Sequence, residues 1–157
     1  MTDLRDELYS LLVPLAGERL IVPRACVAEV IGYQPPAQMT NAPPWYVGVV
    51  NWGERSVPVV SFEGAFGQAL PNVSSRTRIV IFHASSGFLP GGYFGMLTQG
   101  FPQLVRVNAD VIRPDPSRGF SERSPVICQV RMANEAPLIP DLQRLEQMIA
   151  EETSVMT

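Results

Sequence analysis

The chain has 157 residues, of which 46% are hydrophobic and 17% are charged. This balance is typical of one folded domain, or of two small subdomains that share a core, and it speaks against a disordered chain. The formal net charge is −3, which argues against a nucleic-acid-binding protein because such proteins carry a basic patch.

The cysteines and the N-terminus indicate a reducing compartment. Cys26 and Cys128 lie within apolar runs, and we predict that both are reduced core residues, not a disulfide framework or a metal site. No basic segment followed by an apolar core is found at the N-terminus, and no apolar run approaches the ~20 residues needed to cross a bilayer. We therefore expect a cytoplasmic protein with no direct membrane insertion.

The first predicted elements are a frayed helical turn over residues 3 to 8 and two short strands. The strands, Leu11 to Pro14 and Leu20 to Val22, are apolar runs separated by a short Ala-Gly-Glu turn. The next segment, Val27 to Ile31, is either extended or a short helix, since its periodicity fits both. Residues 34 to 44 are rich in proline and are predicted to form an extended surface connection.

A β-hairpin is predicted over residues 43 to 62. Two valine-rich runs form its strands: Val47 to Val50 and Val57 to Val60. Asn51, Gly53 and Glu54 supply the turn, and Trp52 is placed inside it. A tight turn leaves no room to bury an indole, so we expect Trp52 either to contact a partner or to pack against another part of the chain.

The second half is predicted to contain further short strands and one convincing helix. The strands are Arg78 to Phe82, Tyr93 to Leu97, Leu104 to Val107, Val126 to Met132 and Leu138-Ile139. A brief helical turn is predicted over Glu63 to Gln68, and a loop over residues 113 to 125. Asp141 is the predicted N-cap of the helix, and Glu146 is predicted to lie on the face opposite its apolar residues.

The two predicted hairpins are similar in sequence. Residues 47–52 align without gaps with residues 127–132, and the similarity continues from 57–62 to 137–142. Upstream, residues 20–31 align with 94–105 at a slightly smaller offset. Apolar alternation by itself produces similarities of this kind. Two interpretations therefore stay open: a coincidence of pattern, or two similar β subdomains that each end in the same hairpin.

No pattern in the chain predicts catalysis. His83 is the only histidine and is interpreted as a surface or packing residue. We find no metal-ligand spacing and no glycine-rich phosphate-binding motif. The scattered carboxylates are interpreted as solvated surface acids: Glu29, Glu54, Glu63, Asp110, Asp115, Glu135 and Asp141. The sequence therefore predicts no catalytic residue, no metal and no cofactor.

The first hairpin resembles a known family. Pro43 to Trp52, followed by Val57-Pro58-Val59-Val60, is similar to the CheW-like domain of bacterial chemosensory systems. That family's pattern runs Pro, aromatic, one residue, Gly-Val-Ile-Asn-Leu-Arg-Gly, then hydrophobic-Pro-Val-hydrophobic-Asp-Leu. Further family-like segments follow in the family's order: Gly17 with Leu20 to Pro23, Val27 with Glu29 and Val30, Thr77 to Ile81, Gly95 to Leu97 with Leu104, and Leu138-Ile139 with Asp141-Leu142.

The resemblance implies a mainly β fold of two small five-stranded SH3-like β-barrel subdomains around a shared core, with a C-terminal helix. It implies one domain of two intertwined subdomains over residues 10–150, with residues 1–9 and 151–157 as termini. It also implies a non-enzymatic adaptor that couples the cytoplasmic tip of a methyl-accepting chemoreceptor to a CheA-type histidine kinase.

The chain departs from the family pattern where the resemblance places the partner contact. Gly53-Glu54 replaces Arg-Gly, Ser61-Phe62 replaces Asp-Leu, and Thr98-Gln99 stands where the family has Val-Asp. The resemblance makes the candidate partner-binding residues Glu29, Asn51, Trp52, Gly53, Glu54 and Arg55. A charge change at such a contact disfavours the old partner, so we expect a divergent system, such as one that controls twitching motility through a type IV pilus.

Two other functions are considered beside the adaptor. One is a small-molecule-binding β-barrel, motivated by the glycine-rich loop from Gly87 to Gly95. The other is a competitor that keeps the fold but has lost one coupling contact.

Overall fold

The structure, a computed structural model, describes residues 8–156, and the side chains of residues 8–153. Within this range the strands are β1 (Leu8–Pro14), β2 (Arg19–Pro23), β3 (Val27–Gly32), β4 (Tyr46–Trp52), β5 (Arg55–Val60), β6 (Arg78–His83), β7 (Tyr93–Thr98), β8 (Gln103–Val107), β9 (Arg113–Pro114), β10 (Val126–Arg131) and β11 (Leu138–Pro140). The helices are α1 (Phe62–Ala65) and α2 (Leu142–Met156), and a single 3₁₀ turn covers Arg24–Cys26. The helical turn predicted over residues 3 to 8 lies outside the described residues except at Leu8, which begins β1.

The strands form two curled sheets, as the mainly β prediction requires. The six-stranded sheet has the order β8-β1-β2-β11-β10-β9, and the five-stranded sheet has the order β3-β6-β7-β5-β4. The open question over Val27 to Ile31 is settled, because this segment is the edge strand β3 and pairs with β6. The predicted fold class is confirmed, with one strand more than expected in the first sheet.

The two halves of the chain have the same topology. In chain order, β1 to β5 correspond to β6, β7, β8, β10 and β11, and matching positions of the two sheets show the same parallel or antiparallel pairing. Each sheet contains strands from both halves. From the first half, β3 leaves β1 and β2 and joins β6 and β7 in the five-stranded sheet. From the second half, β8 joins β1 and β2 in the six-stranded sheet. This arrangement favours a true internal repeat over a coincidence of pattern, and it shows that the halves are intertwined.

One apolar core lies between the sheets and under α2. The core contains Leu20 of β2, Phe82 of β6, Phe94 of β7, and Leu145 and Ile149 of α2. All five side chains are fully buried. Burying a side chain of this size contributes about 1.5–3 kcal/mol, so this shared core holds the two sheets together. Neither described helix is both long and apolar enough to span a bilayer.

Three carboxylates predicted to be solvent-exposed are buried. Glu146 is 2% exposed and Glu63 is 1% exposed, so the placement of Glu146 on the solvent face of α2 is wrong. Asp115 is also buried. For Glu146 the helical spacing itself argues against the prediction, since Glu146 is four residues after Leu142 and three before Ile149 and lies on their side of the helix. For Glu63 and Asp115, no local pattern shows which segment of the chain covers them.

The two buried glutamates have equivalent roles. Glu63 of α1 accepts a hydrogen bond from the backbone N–H of Ala16, at 3.0 Å, in the β1–β2 connection. Glu146 of α2 accepts hydrogen bonds from the backbone N–H (3.0 Å) and the hydroxyl of Ser86 in the β6–β7 connection. Each helix follows a strand of one sheet and binds a turn of the other sheet. Both carboxylates therefore tie the two sheets together.

Candidate functional site

The β4–β5 hairpin ends in a two-residue turn. Trp52 pairs with Arg55, so only Gly53 and Glu54 form the turn. Gly53 has φ +61° while Glu54 has no positive φ, the pattern of a type II′ turn with glycine at its first central position. The prediction that Asn51 and Trp52 belong to the turn is wrong, because both are the last residues of β4.

Trp52 packs against another part of the chain, which is one of the two outcomes expected for it. Its half-buried indole lies edge-on to the ring of Tyr93, with 4.8 Å between ring centroids. The indole Nε1–H donates a hydrogen bond of 2.8 Å to Glu29 Oε1. Trp52 is on β4 and Glu29 is on β3, the two opposite edges of the five-stranded sheet. The sheet therefore curls until its edge strands meet.

No ladder joins β3 to β4 directly, and the closure is made by side chains and by one isolated backbone bridge, in which Ala37, after β3, exchanges hydrogen bonds of 2.8 and 2.9 Å with Val49 of β4. Beside the Trp52–Glu29 hydrogen bond, Gln34 Nε2 donates to the carbonyl oxygen of Asn51 at 3.1 Å. Edge strands left open attract other strands. Here the contacts between β3 and β4 close the sheet, so these two edges are not left open. The residues at the closure form a fixed surface with exposed polar groups.

Two residues that the sequence prediction missed belong to this surface. Tyr93 lies under the guanidinium of Arg55, with 5.0 Å from Cζ to the ring centroid, and its ring is 5.5 Å from that of His83. Tyr93 and His83 are direct partners in the β6–β7 ladder. Strand alternation places both on one face of the sheet, but only the closure of the sheet brings that face to Trp52. We call Glu29, Trp52, Arg55, His83 and Tyr93 the indole cluster.

The structure brings together three of the six predicted partner-binding residues. Glu29, Trp52 and Arg55 belong to the indole cluster, whereas Gly53 and Glu54 project as an exposed turn beside it. Asn51 has an exposed side chain, and its contact with Gln34 is made by the backbone. Opposite charges thus stand on one aromatic platform, a composition suited to binding a protein surface.

A second polar network stabilises the connection between β9 and β10 and takes no part in the indole cluster. Asp115 accepts hydrogen bonds from the hydroxyl and the backbone N–H of Ser117 and from the side chains of Gln129 and Arg131. The two contacts from Ser117, then the Gln129 amide and the Arg131 charge, lower the pKa of Asp115 to about 2. This carboxylate is a structural anchor held by four donors.

Little in the described part of the chain suggests catalysis. Between residues 8 and 156, no three His, Cys, Asp or Glu side chains are grouped in a way that would hold a metal ion. Burial raises the pKa of the Cys26 thiol, which disfavours the reactive thiolate. Ser86, next to the glycine-rich loop, is held by Glu146.

Comparison with known proteins identifies both a family and a fold. A family model described as the CheW-like domain matches residues 10–149. The crystal structure of the scaffolding protein TtCheW from Thermoanaerobacter tengcongensis is similar, with a TM-score of 0.70 and 18% sequence identity. The similarity covers 85% of this chain and 83% of that one. No curated protein sequence matches the chain. At this identity, the likeness to TtCheW concerns the fold.

Proposed function

The chain belongs to the CheW-like domain family, and from this premise we propose that it is a non-enzymatic, cytoplasmic adaptor in a bacterial chemosensory system. In this proposal it couples the cytoplasmic tip of a chemoreceptor to a CheA-type histidine kinase, and residues 10–150 act as one domain. The observation that carries the proposal is the family match over residues 10–149, supported by the scaffold fold shared with TtCheW.

We propose further that the indole cluster and the neighbouring turn contact one of these partners. The family pattern has Leu-Arg where this chain has Trp52-Gly53, so this chain lacks the family's cation at the turn. Trp52 instead donates its indole N–H to Glu29, and Arg55 places a guanidinium over Tyr93. The surface keeps a cation, which lies two residues later than in the family pattern, and gains an aromatic group in place of the family's leucine. That change supports a divergent system, such as one controlling a type IV pilus.

The experiment measures binding of the purified chain to the CheA-type kinases and receptor tips of its own organism by isothermal titration calorimetry. We expect Trp52→Ala to weaken binding to one of them by about tenfold or more, as truncation of a central aromatic anchor does. Ile127→Ala is the matched control, because Ile127 is an exposed apolar residue (62%) on β10 of the other sheet. It should leave that affinity unchanged.

Binding to neither a kinase nor a receptor would contradict the adaptor function. Unchanged affinity of Trp52→Ala, in a protein whose folding is intact, would contradict the assignment of the surface alone.

The competitor hypothesis has its own outcome. A chain that binds the kinase but does not place it under receptor control in a reconstituted phosphorylation assay is a competitor. The double variant Gly53→Arg, Glu54→Gly reintroduces the family's turn. Arginine at φ +61° is strained by about 1–2 kcal/mol, so the stability of this variant has to be measured beside its coupling.

A further inference from the structure

A second possible site lies away from the indole cluster, at the seam between the two sheets. A cavity of about 450 Å³ opens between β1 and β2 of one sheet and β6 and the β7–β8 connection of the other. It shares no lining residue with the indole cluster. Nothing in the proposed adaptor function requires this cavity.

The lining of the cavity is cationic in an acidic protein. Arg19, Arg76 and Arg78 all line it, and no aspartate or glutamate does. The whole chain carries a formal net charge of −3, so this local excess of positive charge is opposite in sign to the protein. Arginines that line one cavity attract a ligand with several negative charges.

Two of the three guanidinium groups are held in place. Arg78 Nη1 donates to the carbonyl oxygens of Ser75 (3.1 Å) and Thr77 (2.9 Å). Arg19 Nε is 3.1 Å from Glu135 Oε1, a carboxylate outside the lining. Each guanidinium keeps N–H donors that these contacts do not use. Because their positions are set before a ligand arrives, less side-chain entropy is lost on binding.

The third guanidinium, that of Arg76, has no acidic partner among the described side chains. Among residues 8–153, Arg76 makes no salt bridge and its side chain makes no hydrogen bond within the protein. No contact within the described part of the chain therefore competes with a ligand for the Arg76 guanidinium.

The β7–β8 connection forms one wall of the cavity. Its backbone is held by hydrogen bonds, and it carries an exposed aromatic ring. Thr98 Oγ1 donates to the carbonyl oxygen of Gly100 at 2.8 Å, and Gln99 N donates to that of Pro14 at 2.9 Å. Between these pinned residues and β8, Phe101 lines the cavity with 67% of its surface exposed. An exposed aromatic ring in the same lining as the arginines suits a ligand that carries both a planar ring and negative charges.

We propose that this cavity binds a nucleotide with at least two phosphate groups, with the phosphates on Arg19, Arg76 and Arg78 and the base against Phe101. Such a site would add a small-molecule input to a protein whose family is known for scaffolds.

The test uses pyrophosphate and ADP as probes, titrated into the full chain by calorimetry at low ionic strength. We expect both to bind and Arg76→Gln to weaken both by about tenfold or more, as loss of a charge-assisted contact does. Arg113→Gln is the control, since Arg113 is exposed on β9 and outside the cavity. It should change the affinity by less than about twofold, because distant exposed charges are screened. Phe101→Ala should weaken ADP and leave pyrophosphate unchanged.

Three results would overturn the proposal. One is that neither probe binds. Another is that Arg113→Gln weakens binding as much as Arg76→Gln, which would show diffuse attraction and no site. The third is that the probes fail while Arg76→Gln weakens binding to a kinase or receptor, in which case the cavity receives an acidic protein segment. An unchanged ADP affinity in Phe101→Ala would overturn the place given to the base.

Discussion

The two halves of this chain share a topology and differ at the ends of their hairpins. Both hairpins close with a two-residue turn: Gly53-Glu54 follows Trp52, and Ala133-Asn134 lies between Met132 and Glu135, whose backbones exchange two hydrogen bonds. The first hairpin is paired from Gly48 to its turn and carries the indole cluster, whereas residues 136–137 separate the second turn from β11. The helix that follows has four residues in the first half and fifteen in the second. Both halves nevertheless place a buried glutamate from that helix onto a turn of the other sheet. The shared features hold the core together, and the hairpin ends, which differ, include the surface that we propose as a partner contact.

The largest expected effect is at the start of the two helices. Phe62 opens α1 and is fully buried, while Leu142, at the equivalent place in α2, is half-buried. Phe62→Ala should destabilise the protein by about 3–5 kcal/mol, because it leaves a cavity in the core. Leu142→Ala should cost less than half as much. Urea unfolding of both variants measures the difference, and equal losses would show that the two helices are equally important to the core.

Loss of the buried glutamates should come next. Glu63→Ala leaves the Ala16 N–H without its acceptor, and Glu146→Ala does the same to Ser86, so each should cost about 1–3 kcal/mol. Glu122→Ala, at an exposed position in the loop before β10, is the control and should fall within about 0.5 kcal/mol of the parent. Urea unfolding measures all three. If either buried variant matched the control, its contact with the opposite sheet would not contribute to stability.

A smaller effect is expected at the hairpin that carries the indole cluster. Trp52→Phe keeps an aromatic ring against Tyr93 but removes the hydrogen bond to Glu29, which should cost about 1 kcal/mol or less at this exposed place. Met132 occupies the equivalent position in the other half and is buried in an apolar cluster. Met132→Leu, which conserves volume, should also change stability little, by less than about 1.5 kcal/mol. Only Trp52→Phe should alter partner binding, and calorimetry with the kinase or receptor checks this.

The smallest expected effect is on the pH dependence of stability, and it comes from Asp115 in the second half. The folded-state pKa of Asp115 is lowered to about 2, below the value near 3.9 of an unfolded aspartate. The stability that this carboxylate contributes is therefore present above about pH 4 and lost as the pH falls towards 2. Urea midpoints measured from pH 5 to 2 should fall more steeply for the parent chain than for Asp115→Asn. Parallel curves would mean that Asp115 is not a pH-dependent anchor.

Much of the fold followed from local pattern. The apolar runs of β4 and β5 and the cap of α2 are short-range signals, and the structure confirms them: Arg144 N donates to Asp141 Oδ1 at 3.0 Å. Short apolar runs also indicated β1, β2, β6 and β7. Ile79 to Phe82 of β6 are all fully buried, so this strand is covered on both faces and has a continuous apolar sequence. The ordered set of family-like segments then predicted the two-sheet architecture.

The sequence by itself determined most of the strands and the resemblance to the family, and it left open the repeat and the conformation of Val27 to Ile31. Only the tertiary structure decided which polar residues are buried and which aromatic residues meet. Glu63 was misplaced because the turn it binds comes from another part of the chain. Glu146 was misplaced although it shares the side of α2 that carries Leu142 and Ile149. Tyr93 was missed because it reaches Trp52 only when β3 and β4 close the sheet. Periodicity reports the face of an element, whereas burial depends on what the rest of the chain packs against that face.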